Sequence, residues 1–250
     1  MMRVAALADI HGNLPALEAV LEEVAREKPD LIMFCGDVAS GPMPAETIEL
    51  LKTIPRARFV SGNADRGLAE EFDAKPHTEL PGPFADWCAK EINPRQRDFL
   101  ASFEKTVVLD DIDGIGRVLF CHASPRNDVD VMTRETSLDR MSFLLSGVEA
   151  EMVVGGHTHM QFDRMVGRVR VVNAGSVGMP YGEPGAYWAM LGPGLTLRRT
   201  DYDREAAAAR IRAKDWPGAD EFARRNVLSV PSVDEAMAFM LTLEAKQAQA

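Results

Sequence analysis

Apolar runs alternate with helical patterns in the first half of the chain. The predicted elements are, in order, a strand at 3–8, a helix from Leu14 to Arg26, a strand at 30–35, a helix near 44–54 and a strand at 57–60. Leu14, Leu17 and Leu21 recur at helical spacing, so the first helix is expected to bury one face. This β-α-β-α-β order predicts parallel strands joined by helical crossovers.

The pattern changes after a helical segment at about 82–103, in which Asn93-Pro94 is typical of an N-cap and a first turn. Strand patterns separated by glycine-containing turns then predict three hairpins, at 105–121, 161–173 and 186–202. A helix at about 134–146 and a strand at 151–155 lie between the first two hairpins. A parallel first half and a largely antiparallel second half indicate an α/β fold with two packed sheets and helices outside.

No repeat or low-complexity linker interrupts the chain before about residue 203. We therefore expect one domain over 1–203 and a C-terminal helical extension over 204–250, packed on or beside it. The last helix is expected to turn four apolar residues to one face: Val233, Met237, Met240 and Leu241. These helices are a candidate contact for an oligomer.

Charge and composition narrow the class of protein. The 250 residues carry 28 basic and 38 acidic side chains, a net charge of −10, which disfavours binding to nucleic acid or to an anionic membrane. No apolar run approaches the ~18 residues of a membrane span, and no leader precedes the first strand, so a cytoplasmic protein is expected. The three cysteines, Cys35, Cys88 and Cys121, are interpreted as buried free thiols.

Five short polar strings carry side chains that bind metals, and several directly follow a predicted strand. They are Asp9-Ile10-His11, Gly36-Asp37, Gly62-Asn63, Cys121-His122 and Gly155-Gly156-His157-Thr158-His159. Residues at strand ends can converge on one edge of a sheet, so these strings predict a single site. Four of the five histidines belong to this set, and the fifth, His77, is interpreted as a solvated loop residue.

The chemistry of the set points to transition metals. Carboxylates, one amide oxygen and four imidazoles form a mixed nitrogen and oxygen set that suits Mn, Fe, Zn or Co. A carboxylate such as Asp37 can bridge two cations, and two metals about 3.5–4 Å apart can activate water and clamp a phosphoryl oxygen. The thiol of Cys121 is better assigned to the core. Glycines beside the ligands are expected to permit tight turns and close approach.

The ordered set Asp-x-His, Gly-Asp, Gly-Asn-x-Asp, a His after a strand and Gly-His-x-His resembles the calcineurin-like metallophosphoesterase superfamily. It is most similar to the small prokaryotic members of the phosphodiesterase type, over about residues 1–200. The resemblance implies a four-layer α/β/β/α sandwich of two mixed β-sheets flanked by helices. It also implies hydrolysis of a small phosphoester or nucleotide by attack of a metal-bridging hydroxide.

The same resemblance assigns the ligands of two divalent transition metal ions. Mn²⁺ is favoured, and Fe, Zn, Ni or Co are the alternatives. The assigned ligands are Asp9, His11 and His159 for the first ion, Asp37 as the bridge, and Asn63, His122 and His157 for the second.

One position departs from the family pattern. Many members have a histidine after Gly-Asn that helps to protonate the leaving group, whereas this chain has Ala64. The change favours good leaving groups or a replacement donor, and a phosphodiesterase over a phosphomonoesterase or protein phosphatase. Asp65, Arg66 and Arg126 are the candidate substrate-binding or supporting residues. Asp65 either orients a neighbour or caps its loop, and each arginine either holds a phosphate oxygen or lies on the surface.

Three further polar residues beside the strings are interpreted as structural. Asn13 is expected to cap the first helix, and Asn173 and Ser176 are expected to shape a turn behind the site. A non-catalytic metal-binding interaction module of the same fold is the alternative function. The completeness of the seven-ligand set favours an enzyme, and the absence of a basic, aromatic-rich segment disfavours a nuclease.

Overall fold

The computed structural model describes residues 2–76 and 84–247, and within them ten strands form two five-stranded sheets. His77 and the first residues of the helical segment predicted at 82–103 lie outside the described residues.

The first sheet is built on the parallel strands of the first half of the chain. These are β1 (Val4–Leu7), β2 (Leu31–Phe34) and β3 (Ala57–Phe59), with β1 and β3 on either side of β2. The hairpin predicted at 186–202 adds to the other side of β1. Its strands, which we name β9 (Ala186–Leu191) and β10 (Leu195–Thr200), give the order β10-β9-β1-β2-β3.

The second sheet contains the remaining two predicted hairpins and the strand between them. Its strands are β4 (Val107–Ile112), β5 (Gly116–Phe120), β6 (Met152–Gly155), β7 (Phe162–Val166) and β8 (Val169–Asn173). The order is β4-β5-β6-β8-β7, with β5, β6 and β8 parallel and the two edge strands antiparallel. Both sheets are therefore mixed.

The helices complete the described elements. They are α1 (Leu14–Glu27), α2 (Pro44–Lys52), α3 (Asn63–Phe72), α4 (Ala85–Glu91), α5 (Pro94–Ala101), α6 (Leu138–Leu144), α7 (Arg204–Arg212), α8 (Ala219–Phe222), which continues as a π-helical turn (Ala223–Leu228), and α9 (Val233–Gln247). As predicted, the Asn13 side chain caps α1 by accepting from the Ala16 amide at 3.3 Å. Asn93 and Pro94 likewise begin α5 with a capping box.

Apolar clusters hold four layers together. Between the sheets, side chains such as Ala6, Met33 and Phe120 are fully buried, because every second residue of these strands faces the opposing sheet. Helices α1 to α5 pack on the outer face of the first sheet, and α6 packs on that of the second. The predicted α/β/β/α sandwich is confirmed. Cys35, Cys88 and Cys121 are buried free thiols, also as predicted.

Several boundaries differ from the predictions. The helix predicted at 134–146 is shorter, because the Ser137 side chain caps α6 by accepting from the Arg140 amide. The predicted segment at 82–103 contains two helices, since Asn93 is extended and starts a new one. Helix α3 was not predicted. Leu241 of α9 does not share the buried face, as 39% of it is exposed.

The C-terminal helices form a cluster of their own against the domain. Ile211, Phe222 and Val227 are buried there, and Met179 and Tyr202 pack against them from the preceding part of the chain. No helix among the described residues is long and apolar enough to cross a membrane.

Candidate metal centre

Strands of both sheets bring the seven predicted side chains to one edge of the sandwich. The residues follow β1, β2 and β3 of the first sheet, and β5 and β6 of the second. They form two groups whose candidate ligand atoms lie within 4.8 Å of one another. These groups are Asp9, His11 and His159, and Asp37, His122 and His157. Asn63, the first residue of α3, faces the second group.

The first group contains a buried oxygen that has no donor. Asp9 Oδ1 has no hydrogen-bond partner, although the residue is fully buried. It lies 3.5 Å from His159 Nε2, which is itself 3.3 Å from His11 Nε2. An unsatisfied buried acceptor costs about 1–3 kcal/mol, and more when it is charged. A cation among these three atoms would remove that cost, so the group fits a metal ion.

The second group also contains an acceptor oxygen that faces other acceptors. The Asn63 amide oxygen faces acceptors, and exchanging it with the amide nitrogen would place a donor 3.1 Å from His157 Nδ1 and 3.3 Å from His122 Nε2. The amide oxygen of Asn63 and the two imidazole nitrogens therefore converge on one another. A neutral oxygen and two imidazoles match the donor set of a transition metal.

Asp37 lies between the two groups. Its Oδ2 is 3.4 Å from His122 Nε2 and 3.6 Å from His11 Nε2. Its Oδ1 accepts from the Ala64 amide at 2.8 Å, which fixes the carboxylate. One oxygen thus faces both groups, as a bridging ligand must.

Backbone carbonyls fix the orientation of all four imidazoles. Three rings have Nδ1 against a carbonyl: His11 on Ser40 at 3.3 Å, His122 on Cys35 at 2.7 Å, and His159 on Met179 at 2.8 Å. His157 is reversed, with Nε2 3.2 Å from the Val129 carbonyl. The other nitrogen of each ring therefore faces its group, as expected where a carbonyl orients a metal-binding imidazole.

The backbone is strained at five of the seven residues. Their φ angles are left-handed: Asp9 54°, His11 48°, Asp37 56°, His157 69° and His159 58°. Such a conformation costs a residue with a Cβ about 1–2 kcal/mol and persists only where the surroundings impose it. The expected role of the glycines is also seen, since a Cβ on Gly62 would lie 2.1 Å from Asp37 Oδ1.

Burial and charge keep two imidazoles neutral. Burial, followed by the neighbouring His122, lowers the pKa of His157 to about 4. Burial and then His11 lower the pKa of His159 to about 3. Burial also acts to lower the pKa of His122, but the Asp37 carboxylate outweighs it and raises that pKa to about 10. In the absence of a cation, a proton on His122 offsets the charge of Asp37.

Asp65 holds the backbone at Asp37. The fully buried carboxylate accepts from the backbone amides of Asp37 at 2.7 Å, Val38 at 2.8 Å and Gly62 at 3.0 Å. It therefore ties the loop after β2 to the start of α3. Burial, followed by the charge of Asp37, raises the pKa of Asp65 to about 7. Ala64 contributes its amide and offers only a methyl group as side chain.

The two candidate arginines have partners within the protein. Arg66 donates to both carboxylate oxygens of Asp128, at 2.8 and 3.2 Å. Arg126 is exposed, and its guanidinium lies over the Phe143 ring at 4.4 Å. The structure places Arg66 on the helix that begins with Asn63, and Arg126 four residues beyond His122.

Asn173 and Ser176 shape the turn behind the site, as predicted. Ser176 Oγ donates to the Asp9 carbonyl at 2.7 Å, and Asn173 Nδ2 donates to Thr158 Oγ1 at 3.0 Å. Together they hold the backbone of two candidate ligand loops.

Sequence reasoning missed Tyr181 and the loop at 127–131. The Tyr181 ring stacks on His159, with centroids 5.7 Å apart, and borders a cavity of about 220 Å³ that α9 also lines through Val233 and Met237. No local pattern marks either feature, since both become significant only through contacts between distant segments.

Comparison with known families identifies the fold. A model of the calcineurin-like phosphoesterase superfamily domain matches residues 2–192. The chain belongs to this superfamily. Seven side chains of this superfamily member thus converge where the carboxyl ends of the parallel strands of both sheets meet. Together they are suitable ligands for divalent metals.

Solved structures share the architecture of this superfamily member. A metallophosphoesterase from Sphaerobacter thermophilus is 22% identical with a TM-score of 0.70, over 90% of this chain and 97% of that one. A hypothetical protein from Pyrococcus horikoshii OT3 is 24% identical with a TM-score of 0.72, over the same shares. An uncharacterized protein from Methanocaldococcus jannaschii is 30% identical over 125 residues, so the match spans half of this chain and half of that relative.

Proposed function

We propose that the chain is a binuclear metal-dependent phosphoesterase with a preference for phosphodiesters. The observation that carries the proposal is Asp37 Oδ2, which faces His11 of one group and His122 of the other within 3.6 Å. A single ion would use one group and leave the other buried donor set unsatisfied. Two ions satisfy Asp9 Oδ1, the Asn63 oxygen and the imidazoles at once.

The proposed ligands follow from the two groups. Asp9, His11 and His159 would hold the first ion, Asn63, His122 and His157 the second, and Asp37 both. Mn²⁺ is favoured, with Fe, Zn, Ni or Co as alternatives that suit the same donors. When bound, the ions supply an activated water and neutralise charge on the phosphoryl oxygens.

The residues of the chain prepare this centre. The carbonyls that face the imidazoles fix their tautomers, and Asp65 holds Asp37 through the backbone. Arg126, which is exposed close to His122 in the chain, is the proposed contact for an incoming phosphate. Arg66 is proposed to support the site through its bidentate pair with Asp128.

The proposed preference for good leaving groups rests on Ala64, and that for diesters on the likeness of the motifs to phosphodiesterase-type members. A methyl group cannot protonate a leaving alkoxide, so substrates whose leaving group departs unprotonated should react best. The proposed substrate is a small phosphoester or nucleotide. The division into a domain over 1–203 and a helical extension over 204–250 is part of the same proposal.

The test uses protein stripped of metal and reconstituted with Mn²⁺, Ni²⁺, Zn²⁺, Co²⁺ or Fe²⁺. Rates are compared on an aryl phosphodiester, the matched aryl monoester and an alkyl monoester. Activity should require metal, favour the diester, and be abolished in Asp37→Ala and His159→Ala, while Asp73→Asn on the far end of α3 should match wild type. Full activity without metal refutes the proposal. Binding of two ions without any hydrolysis favours the interaction module instead.

A further inference from the structure

Helix α9 reaches the candidate metal centre through its last residue. The Gln247 amide donates to the Val129 carbonyl at 2.6 Å, and its oxygen accepts from the Val131 amide at 3.0 Å. The side chain thus pairs with the backbone as a neighbouring strand would. Arg140 donates to the same Gln247 oxygen at 3.3 Å.

The segment that Gln247 contacts also supports the second group. The Val129 carbonyl lies 3.2 Å from His157 Nε2, so it turns Nδ1 of that ring towards the site. This loop therefore sets the direction of one of the three residues proposed to bind only the second ion.

Helix α9 is anchored independently of this contact. Ser232 and Glu235 cap its first turn through bonds of 2.9 and 3.2 Å, and Met237 and Met240 are buried beneath it. The helix therefore holds Gln247 in place from one side of the loop at 127–131, while the Asn127 side chain accepts from the Val129 and Asp130 amides within the loop.

We propose that Gln247 is a positioning residue for His157, through which the C-terminal helix sets the affinity of the second metal site. The inference rests on the two-ion function proposed above. The Val129 carbonyl lies against both Gln247 Nε2 and His157 Nε2, so the amide that donates to it helps to fix the direction in which it meets the imidazole. When the carbonyl moves, the imidazole loses the partner that fixes its tautomer and its direction.

The chemistry of the contact requires an amide. Glutamate at this position would keep the acceptor for the Val131 amide and the pairing with Arg140. It would also set a second acceptor oxygen against the Val129 carbonyl, where Gln247 now donates. Gln247→Glu therefore reverses one contact and leaves the others in place, and the Arg140 pairing retains α9 on the domain. Gln247→Leu removes the bonds without adding repulsion.

The experiment titrates metal-free protein with Mn²⁺ by calorimetry and follows the spin coupling of the bound ions by EPR. Wild type is compared with Gln247→Glu, Gln247→Leu and Lys246→Ala, the last of which alters an exposed neighbour on the same turn. Changes to the groups that orient metal ligands through hydrogen bonds typically weaken metal binding by about 10–100-fold. One site should weaken about 10-fold in Gln247→Glu and less in Gln247→Leu, with loss of the spin-coupled signal at limiting Mn²⁺. The other site and Lys246→Ala should match wild type.

The possible outcomes separate the two proposals. Wild type that binds fewer than two Mn²⁺ ions refutes the binuclear function, and the positioning role with it. Two ions in wild type and unchanged affinities in Gln247→Glu overturn the positioning role alone. An equal loss at both sites also overturns it, since it would indicate general destabilisation of the edge.

Discussion

Replacing Asp65 should both destabilise the protein and weaken metal binding. The carboxylate accepts from three buried backbone amides, at 2.7, 2.8 and 3.0 Å. A buried donor left unsatisfied costs about 1–3 kcal/mol, so Asp65→Ala would cost about 3–9 kcal/mol if nothing relaxed. Burial and then the charge of Asp37 raise the pKa of Asp65 to about 7, and removing the carboxylate relieves both costs, which offsets part of this loss. We expect the free energy of unfolding of Asp65→Ala to fall by about 3–5 kcal/mol in total.

The expected loss can be apportioned with a milder variant. Asp65→Asn keeps the size and one acceptor oxygen, but its NH₂ group faces an amide donor. The free energy of unfolding should fall by about 2–4 kcal/mol, because one or two hydrogen bonds disappear and the NH₂ donor then faces a backbone N–H donor. Both variants should also weaken Mn²⁺ binding, since the Asp37 amide and the Gly62 amide lose the group that joins them.

Urea denaturation of metal-free protein measures the free energy of unfolding, and calorimetric titration measures Mn²⁺ affinity. The matched control is Asp73→Asn at the other end of α3, where the partly exposed carboxylate pairs with Lys75 at 2.7 Å and with Arg97 at 3.3 Å. Such a pair contributes about 0–1 kcal/mol, so the control should unfold close to wild type. A loss below 1 kcal/mol in Asp65→Ala would show that the carboxylate does not hold the two loops together.

Two further outcomes are expected. Since His157 and His159 have lowered pKa values of about 4 and 3, the unfolded chain binds more protons at these two rings below pH 6.5, and each should destabilise metal-free protein as the pH falls from 6.5 to 4. The raised pKa of Asp65, about 7, acts in the opposite direction over the same range, so the two rings are tested by comparison with a variant. Each imidazole contributes at most about 1.4 kcal/mol per pH unit to the change of unfolding free energy with pH. Thermal scans at several pH values should therefore show a weaker pH dependence of stability in His159→Gln than in wild type. An unchanged pH dependence contradicts the burial argument. Gly62→Ala should abolish metal binding, because its Cβ would lie 2.1 Å from Asp37 Oδ1. Gly67→Ala, in open space on α3, should raise stability by about 0.5–1 kcal/mol in the same denaturation assay, and equal behaviour of the two alanines would refute the steric reasoning.

The sandwich and its site edge could be predicted because they depend on local patterns. Parallel strands place their carboxyl ends together, so topology alone brings Asp9 close to Asp37 in the first sheet and His122 close to His157 in the second. The packing of the two sheets then joins the two pairs. Helix α3 could not be predicted in the same way. Its sequence, from Asn63 to Phe72, is mostly polar and contains Gly67, and it becomes helical because Asp65 ties its first turn to the loop after β2.

The parts of the site that were missed depend on contacts between distant segments. Val129 matters because its carbonyl faces His157, and Gln247 matters because it reaches Val129 across 118 positions of the chain. Tyr181 matters because it stacks on His159. Neither periodicity nor spacing carries that information.

The left-handed backbone at Asp9, His11, Asp37, His157 and His159 has a consequence for inactive variants of this protein. Alanine at any of these positions removes a ligand but keeps the unfavourable φ, whereas glycine adopts that φ without strain. Glycine variants should therefore melt above the matching alanine variants when both are free of metal. The difference between the two melting temperatures would measure, ligand by ligand, how much folding free energy the chain gives up to shape its binding edge.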